Sequence, residues 1–85
     1  MQRVNFRTKN GLQLLTMLKT GEDVPLHLPT PRNVNVGDYL HLTYGDRTNP
    51  TSMCGVIVKH VHNWSNSDGT QVQNLIVNAP NSHCL

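Results

Sequence analysis

The segment from Val34 to Tyr44 constrains the fold of this chain more than any other. A polar turn at Gly37–Asp38 precedes a run in which apolar and polar side chains alternate. A period of two is typical of a half-buried β-strand, so this segment predicts a strand with its leucines in the core. The two predicted faces carry Leu40, Leu42 and Tyr44 on the inner side and Tyr39, His41 and Thr43 on the outer side.

Length and composition limit the chain to one small domain, spanning residues 1–85. A chain of 85 residues has room for a modest hydrophobic core. Only 14% of the residues are charged, and much of the polar remainder is Asn and Thr. These two residue types suit turns and strand surfaces better than helix interiors. The composition therefore predicts a β-rich domain.

Periodicity predicts a single helix. In the N-terminal segment, Val4 and Phe6 alternate with basic residues, which predicts a strand with an apolar inner face and a basic outer face. Asn10 has the character of a helix N-cap and Gly21 that of a C-cap glycine. The apolar stripe between them predicts a helix over residues 11–20. Three prolines follow within residues 25–31, so this part is predicted as a short edge strand and a loop.

Two further strands complete the predicted sheet. Met53–Val61 is the most apolar segment, but three consecutive apolar residues interrupt its alternation. Either both of its faces are covered or a bulge near Gly55 shifts the phase. Asp68–Gly69 predicts a hairpin turn, and Val72–Ala79 the returning strand. The predicted fold is α+β: a small curled antiparallel sheet or β-barrel of about five strands with one packed helix.

The cysteines predict free thiols. Cys54 and Cys84 are the only two, and no C-x-x-C motif occurs. Cys54 lies in an apolar strand, where a buried inert thiol is expected, and Cys84 lies in a tail predicted from Asn81 onward. We expect both in reduced form in an intracellular, cytoplasmic protein. No apolar run approaches the ~20 residues that span a bilayer, so no membrane partner is expected.

Two stretches resemble the ASCH branch of the PUA-like barrels. In that family a helix ends in a glycine-containing turn, as at Leu18–Gly21, and a V-G-D turn leads into a barrel strand, as at Val36–Asp38. The resemblance covers residues 3–62 and implies a barrel with a cleft that faces nucleic acid or protein. Enzymatic members, which remove acyl groups from modified cytidine, carry a lysine after that glycine. Glu22 stands at this position here, which argues against the same activity.

The sequence contains no recognisable catalytic, cofactor or metal site. All five acidic residues lie in predicted turns or loops, where they are expected on structural grounds. His60 and His62 share a strand face about 7 Å apart, but a third metal ligand would have to be His41 or Cys54, and a structural zinc usually has four ligands. We therefore predict no metal, cofactor or catalytic residue, and favour a non-catalytic module while leaving enzymatic activity open.

The leading functional candidate is the basic outer face of the N-terminal strand, which carries Arg3, Arg7 and Lys9. Basic groups contact phosphates, and aromatic rings such as those of Tyr39 and Trp64 stack on exposed bases. The pattern therefore predicts nucleic-acid binding, with RNA as the favoured ligand. The predicted binding residues are Arg3, Arg7, Lys9, Arg32, Lys59, His60, His62 and Trp64.

Two alternatives to nucleic-acid binding are a strand face that is merely solvated and a surface that binds a protein partner. Lysine and arginine on a strand face also discourage edge pairing, and a net charge of +2 permits an anionic partner without requiring one. A small Asn- and Thr-rich β domain also suits an assembly subunit, such as a phage accessory or virion protein, a homo-oligomer, or a small phage inhibitor of host machinery. Docking surfaces need no motif, so the sequence leaves both kinds of partner open.

Overall fold

The protein forms one mixed sheet with one helix against it. The computed structural model describes residues 2–28, 30–80 and 84. The strands lie in the order β1-β3-β4-β5-β2. This confirms the α+β class predicted from the sequence, with a five-stranded sheet and one packed helix. The elements are β1 (Gln2–Phe6), α1 (Lys9–Lys19), β2 (Val24–Leu28), β3 (Tyr39–Gly45), β4 (Pro50–Ser65) and β5 (Gln71–Asn78).

The sheet differs from the expected antiparallel arrangement at one pair of strands. β1 lies parallel to β3, with Gln2 beside Leu40, whereas the other three pairs are antiparallel. Parallel neighbours need a crossover connection, and here α1 and β2 lie between them in the chain. In the part of the chain that the structure describes, β1 and β2 are the two edges and do not pair with each other. The sheet is therefore open and not a closed barrel.

β4 is the longest strand and joins the two halves of the sheet. It pairs with β3 from Pro50 to Ile57 and with β5 from Ile57 to Ser65. The β4–β5 register shifts between Val58 and His60, so the bulge lies there and not near Gly55. The extra residue shifts the phase of the alternation by one, so Val58 and Val61, which are three residues apart, both contact the core.

The core lies between α1 and one face of the sheet. Leu15 and Leu18 of α1 are fully buried, as are Leu40 and Leu42, which confirms the predicted inner face of the opening strand. The buried stripe of α1 is narrower than predicted, because Leu12 remains 39% exposed. The strand residues of the core are Val4, Val24, Leu26, Leu28, Leu40, Leu42, Cys54, Val56, Val58, Leu75 and Val77.

The helix begins earlier than the sequence pattern predicts. Its N-cap is Thr8 and not Asn10. β1 ends at Phe6, so Lys9 is the first helical residue, and its predicted place on the β1 face is wrong. Gly11 in the first helical turn packs against Phe6, where a Cβ would overlap the Phe6 side chain. The glycine therefore lets the first helical turn pass close to the end of β1.

The Gly37–Asp38 turn forms as predicted and is tied to β4. Gly37 has a φ of 95°, which glycine adopts without steric cost. Its backbone N–H donates to the Val58 carbonyl at 2.8 Å, and the Val58 N–H donates to the Asp38 carbonyl at 2.9 Å. The carboxylate of Asp38 accepts from the Asn35 N–H at 2.8 Å. These bonds fix the start of β3 against the middle of β4.

Cys54 and Cys84 form a disulfide bond, so the prediction of two free thiols is wrong. Cys84 makes an isolated antiparallel bridge with Cys54, which brings it back onto the sheet. Residue spacing alone does not indicate this return of the chain after β5. The reducing compartment inferred from free thiols loses its basis. The rest of the predicted tail, residues 81–83 and 85, lies outside the described residues.

Candidate nucleic-acid interface

All four arginines of the chain line one surface cleft, here termed the arginine cleft. It has a volume of about 430 Å³. Arg3 lies in the edge strand β1, and Arg7 is the residue that follows this strand. The other two come from the β2–β3 connection and the β3–β4 turn. The described residues that line it are Arg3, Val4, Asn5, Arg7, Arg32 and Arg47.

A buried amide holds Arg32 in position. Gln73 of β5 is 1% exposed. Its Nε2 donates to the Arg32 carbonyl at 3.0 Å, and its Oε1 accepts from the Arg32 N–H at 3.2 Å. On the other side, Gln2 Nε2 donates to the Asn33 carbonyl at 2.8 Å. The β2–β3 connection is thereby tied to both β5 and β1, which explains how Arg32 reaches arginines that are distant in sequence.

Asn5 connects β1 to the end of β3 within the cleft wall. Its Oδ1 accepts from Thr43 Oγ1 at 2.7 Å, and its Nδ2 donates to the Gly45 carbonyl at 3.1 Å. Thr43 is fully buried although it lies on the face away from α1. The turn that carries Arg47 follows directly after Gly45. The spacing between the β1 arginines and Arg47 is therefore set by hydrogen bonds between ordered strands.

The charges of the arginine cleft are not neutralised by the acidic residues around it. Within the described residues, no carboxylate forms a salt bridge with any of its four guanidinium groups. Asp46 borders a neighbouring cavity with Arg7, but its Oδ1 accepts from both the N–H and the hydroxyl of Thr48, each at 2.9 Å. These bonds from Thr48 lower the pKa of Asp46, and Arg7 contributes less. The four like charges repel one another, and a bound anion would reduce that repulsion.

The other predicted binding residues lie away from the arginine cleft. Lys9 is the first residue of α1, and the other four predicted binding residues lie in the second half of β4, which pairs with β5. None of these five is among the described residues that line the cleft. Arg47, in contrast, belongs to the cleft but was missed by sequence reasoning, because a turn residue has no place in a strand alternation. The four in β4 are Lys59, His60, His62 and Trp64.

Part of this β4 group belongs to a second feature, here termed the ring cluster: His27, His62, Trp64 and Asn74. The ring centroids of His62 and Trp64 are 5.3 Å apart, and those of His27 and Trp64 are 6.2 Å apart. Asn74 lies between the two histidines in the sheet, opposite His27 on β2 and opposite His62 on β4. His27 and Asn74 escaped sequence reasoning because only the strand order brings them beside Trp64.

The described residues offer no site for a metal ion, and Cys54 is not available as a nucleophile. No group of three or more His, Cys, Asp or Glu side chains there is placed to hold a metal ion. Cys54, considered from the sequence as a third ligand for His60 and His62, is buried and bonded to Cys84. The same bond leaves Cys54 without the thiolate that a nucleophile requires.

Comparisons with protein-family models, curated proteins and solved structures give no match. The resemblance to the ASCH proteins therefore stays a prediction. Among the described residues, no helix has the length and apolar character needed to cross a membrane.

Proposed function

We propose that this domain is a non-catalytic module that binds nucleic acid, single-stranded RNA above all, with the phosphate backbone in the arginine cleft. The observation that supports the proposal is the convergence of all four arginines on one cleft, without a carboxylate partner among the described residues. Repulsion among four guanidinium groups works against such an arrangement. A ligand that carries several negative charges would replace this repulsion by a net electrostatic attraction.

The residue type fits phosphate recognition. A guanidinium group presents a planar fork of donors that matches two oxygens of one phosphate, and it keeps its charge at any working pH. The chain places its arginines in the cleft and distributes its three lysines elsewhere. A general solvating role would not require this separation, because lysine solvates a surface equally well.

The shape of the arginine cleft favours a chain of phosphates over a single small anion. Arg3 and Arg7 are four residues apart along and just beyond β1, which corresponds to roughly 13 Å of extended backbone. Arg32 and Arg47 come from two other segments. Donors spread over this distance suit consecutive phosphates of one strand, whose unpaired bases remain free for other contacts.

A salt titration tests the proposal. If four arginines each displace one counterion from single-stranded RNA, the logarithmic salt dependence has a slope of about −2.8. Between about 50 and 200 mM salt, the Kd of a fluorescein-labelled RNA then rises about 50-fold, measured by fluorescence anisotropy. Absence of binding at the lower concentration, or an affinity independent of salt, would contradict the proposal.

Charge-matched variants locate the contact. Arg47→Gln removes one cleft charge and should flatten the slope by about 0.7. Lys19→Gln removes the same charge from the last residue of α1 and should leave the slope unchanged. Equal effects of the two variants would show that only net charge matters and that the arginine cleft is not the binding site.

Docking on protein is the second candidate, and the exposed apolar side chains favour it. Leu12 and Met17 on α1 are 39% and 40% exposed, and Val36 is 65% exposed. A homo-oligomer, a phage virion or accessory subunit, or a small phage inhibitor of host machinery would bury such side chains against its partner. Light scattering after size exclusion tests the first of these: a stable oligomer that Met17→Glu dissociates supports assembly, and a monomer at all concentrations opposes it.

A further inference from the structure

We infer that the ring cluster is a second subsite, which takes one unpaired nucleobase. The inference rests on the proposed function and adds to the arginine cleft a surface that would contact bases. Its evidence is independent of the arginines, because it comes from the side chains of β2, β4 and β5 on the opposite face from the core.

The strand register places the ring cluster on the solvent-exposed face of the sheet. On β2, His27 is exposed between buried Leu26 and Leu28, and on β5 Asn74 is exposed between two buried neighbours. His62, Asn74 and His27 then follow one another across three adjacent strands. A ligand therefore has access to all three side chains from the solvent side of the sheet.

Trp64 is held in place by its neighbours. It lies opposite Val72 in the β4–β5 register. Val72 is 6% exposed, yet it is not a member of the core cluster around α1, so it is buried on the face that Trp64 occupies. The planes of His62 and His27 are tilted by 32° and 47° against the indole. An aromatic ring that is ordered before binding loses little conformational entropy when a base stacks on it.

The polar atoms of the ring cluster are arranged for a base edge. His27 Nδ1 lies 2.7 Å from Asn74 Oδ1. An amide oxygen only accepts hydrogen bonds, so this contact places a proton on Nδ1, and in that tautomer Nε2 is an acceptor. The Asn74 amide group keeps its two N–H donors, for which the described residues supply no partner. Donors and an acceptor beside a stacking surface are what a nucleobase requires; a metal ion would need a third ligand, which the described residues lack.

The single tryptophan of the chain provides the assay. Because Trp64 is the only one, its fluorescence reports on the ring cluster alone. Single-stranded RNA should quench the emission, whereas an abasic sugar-phosphate oligonucleotide of the same length should bind the arginine cleft without quenching. Stacking of one base corresponds to about a 5- to 150-fold change in affinity. His62→Ala should therefore weaken RNA binding within that range, and His62→Phe, which keeps a ring, should restore it.

Two amide substitutions provide a matched pair. Asn74→Ala removes the amide from the ring cluster and should weaken binding of base-containing RNA but not of the abasic chain. Asn63→Ala removes the same group from β4, where it faces the other side of the sheet in register with Gln73. It should leave both affinities unchanged.

The outcomes separate this inference from the proposed function. Salt-dependent RNA binding without quenching, and with His62→Ala equal to the native protein, overturns the subsite and leaves the arginine cleft in place. If RNA does not bind, but adenosine monophosphate quenches Trp64 and His62→Ala abolishes that quenching, the subsite stands and the proposed function fails. Absence of both RNA binding and quenching refutes both.

Discussion

Breaking the disulfide bond between Cys54 and Cys84 should cost the domain a large part of its stability. The bond joins residues with a sequence separation of 30. For a loop of this length, the chain-entropy relation gives about 12 cal/mol/K, or about 3.6 kcal/mol at 25 °C. A chain of 85 residues has a net stability of about 4–13 kcal/mol at the usual amount per residue. The cross-link therefore contributes between about a quarter and nearly all of the margin.

The expected change is easily measured. Domains of this size lose about 4–8 °C of Tm per kcal/mol, so reduction should lower the Tm by about 15–30 °C. Circular dichroism melts of the oxidised protein, the reduced protein and Cys84→Ser provide the comparison. Cys84→Ser is the informative variant because Cys84 is only partly buried, whereas serine at fully buried Cys54 would add an unrelated polar penalty.

Two internal controls accompany the measurement. Reductant should have no further effect on Cys84→Ser, and alkylation of the unfolded, unreduced protein should find no free thiol by mass spectrometry. A melt of the oxidised protein that reductant leaves unchanged would refute the reasoning. So would two alkylated cysteines in the native preparation, because the loop would then be open in the folded state.

Four substitutions test the faces of β3 and β4. Leu40→Asp should unfold the domain because it buries a carboxylate at a position that is 1% exposed, whereas His41→Asp on the opposite face should retain the native circular dichroism spectrum; equal behaviour would contradict the assigned faces. Thr43→Val should lower the free energy of unfolding in urea by about 1–2 kcal/mol, since Asn5 loses its hydroxyl donor, and an unchanged midpoint would show that this bond is unimportant. Ser52→Ala should raise it by up to about 1 kcal/mol, because the buried hydroxyl has no partner among the described residues; a loss of stability would reveal a bond that it makes.

The sequence predicts those parts of the fold that depend on neighbouring residues. The alternation of apolar and polar residues identifies the buried leucines of β3, because one face of a strand packs on the core wherever the strand lies in the sheet. Pro25 predicts the edge position of β2, which the strand order confirms, because proline has no N–H for a ladder. Gly69 has a φ of 88° in the predicted β4–β5 hairpin, as a tight turn of this kind requires.

What the sequence does not predict depends on contacts between distant segments. The parallel β1–β3 pair, the return of Cys84 to β4, and the placement of Arg47 beside Arg3 all follow from how connections cross the sheet. The propensities and periodicities of neighbouring residues contain no information about such crossings. Lys9 shows a different, local limit: the alternation of the N-terminal segment does not indicate that β1 ends at Phe6 and that α1 begins at Lys9.

The strand order also has a consequence for the synthesis of the protein on the ribosome. The partner of β1 begins at Tyr39 and that of β2 at Gln71. The nascent N-terminal segment therefore emerges with two strands that have no partner and one helix too short to be stable alone. We expect the β3–β4–β5 hairpins to form first, because their contacts are local, and the N-terminal segment to close both of their edges last. The emergence of β5, and not the appearance of each earlier strand, would then set the moment of folding.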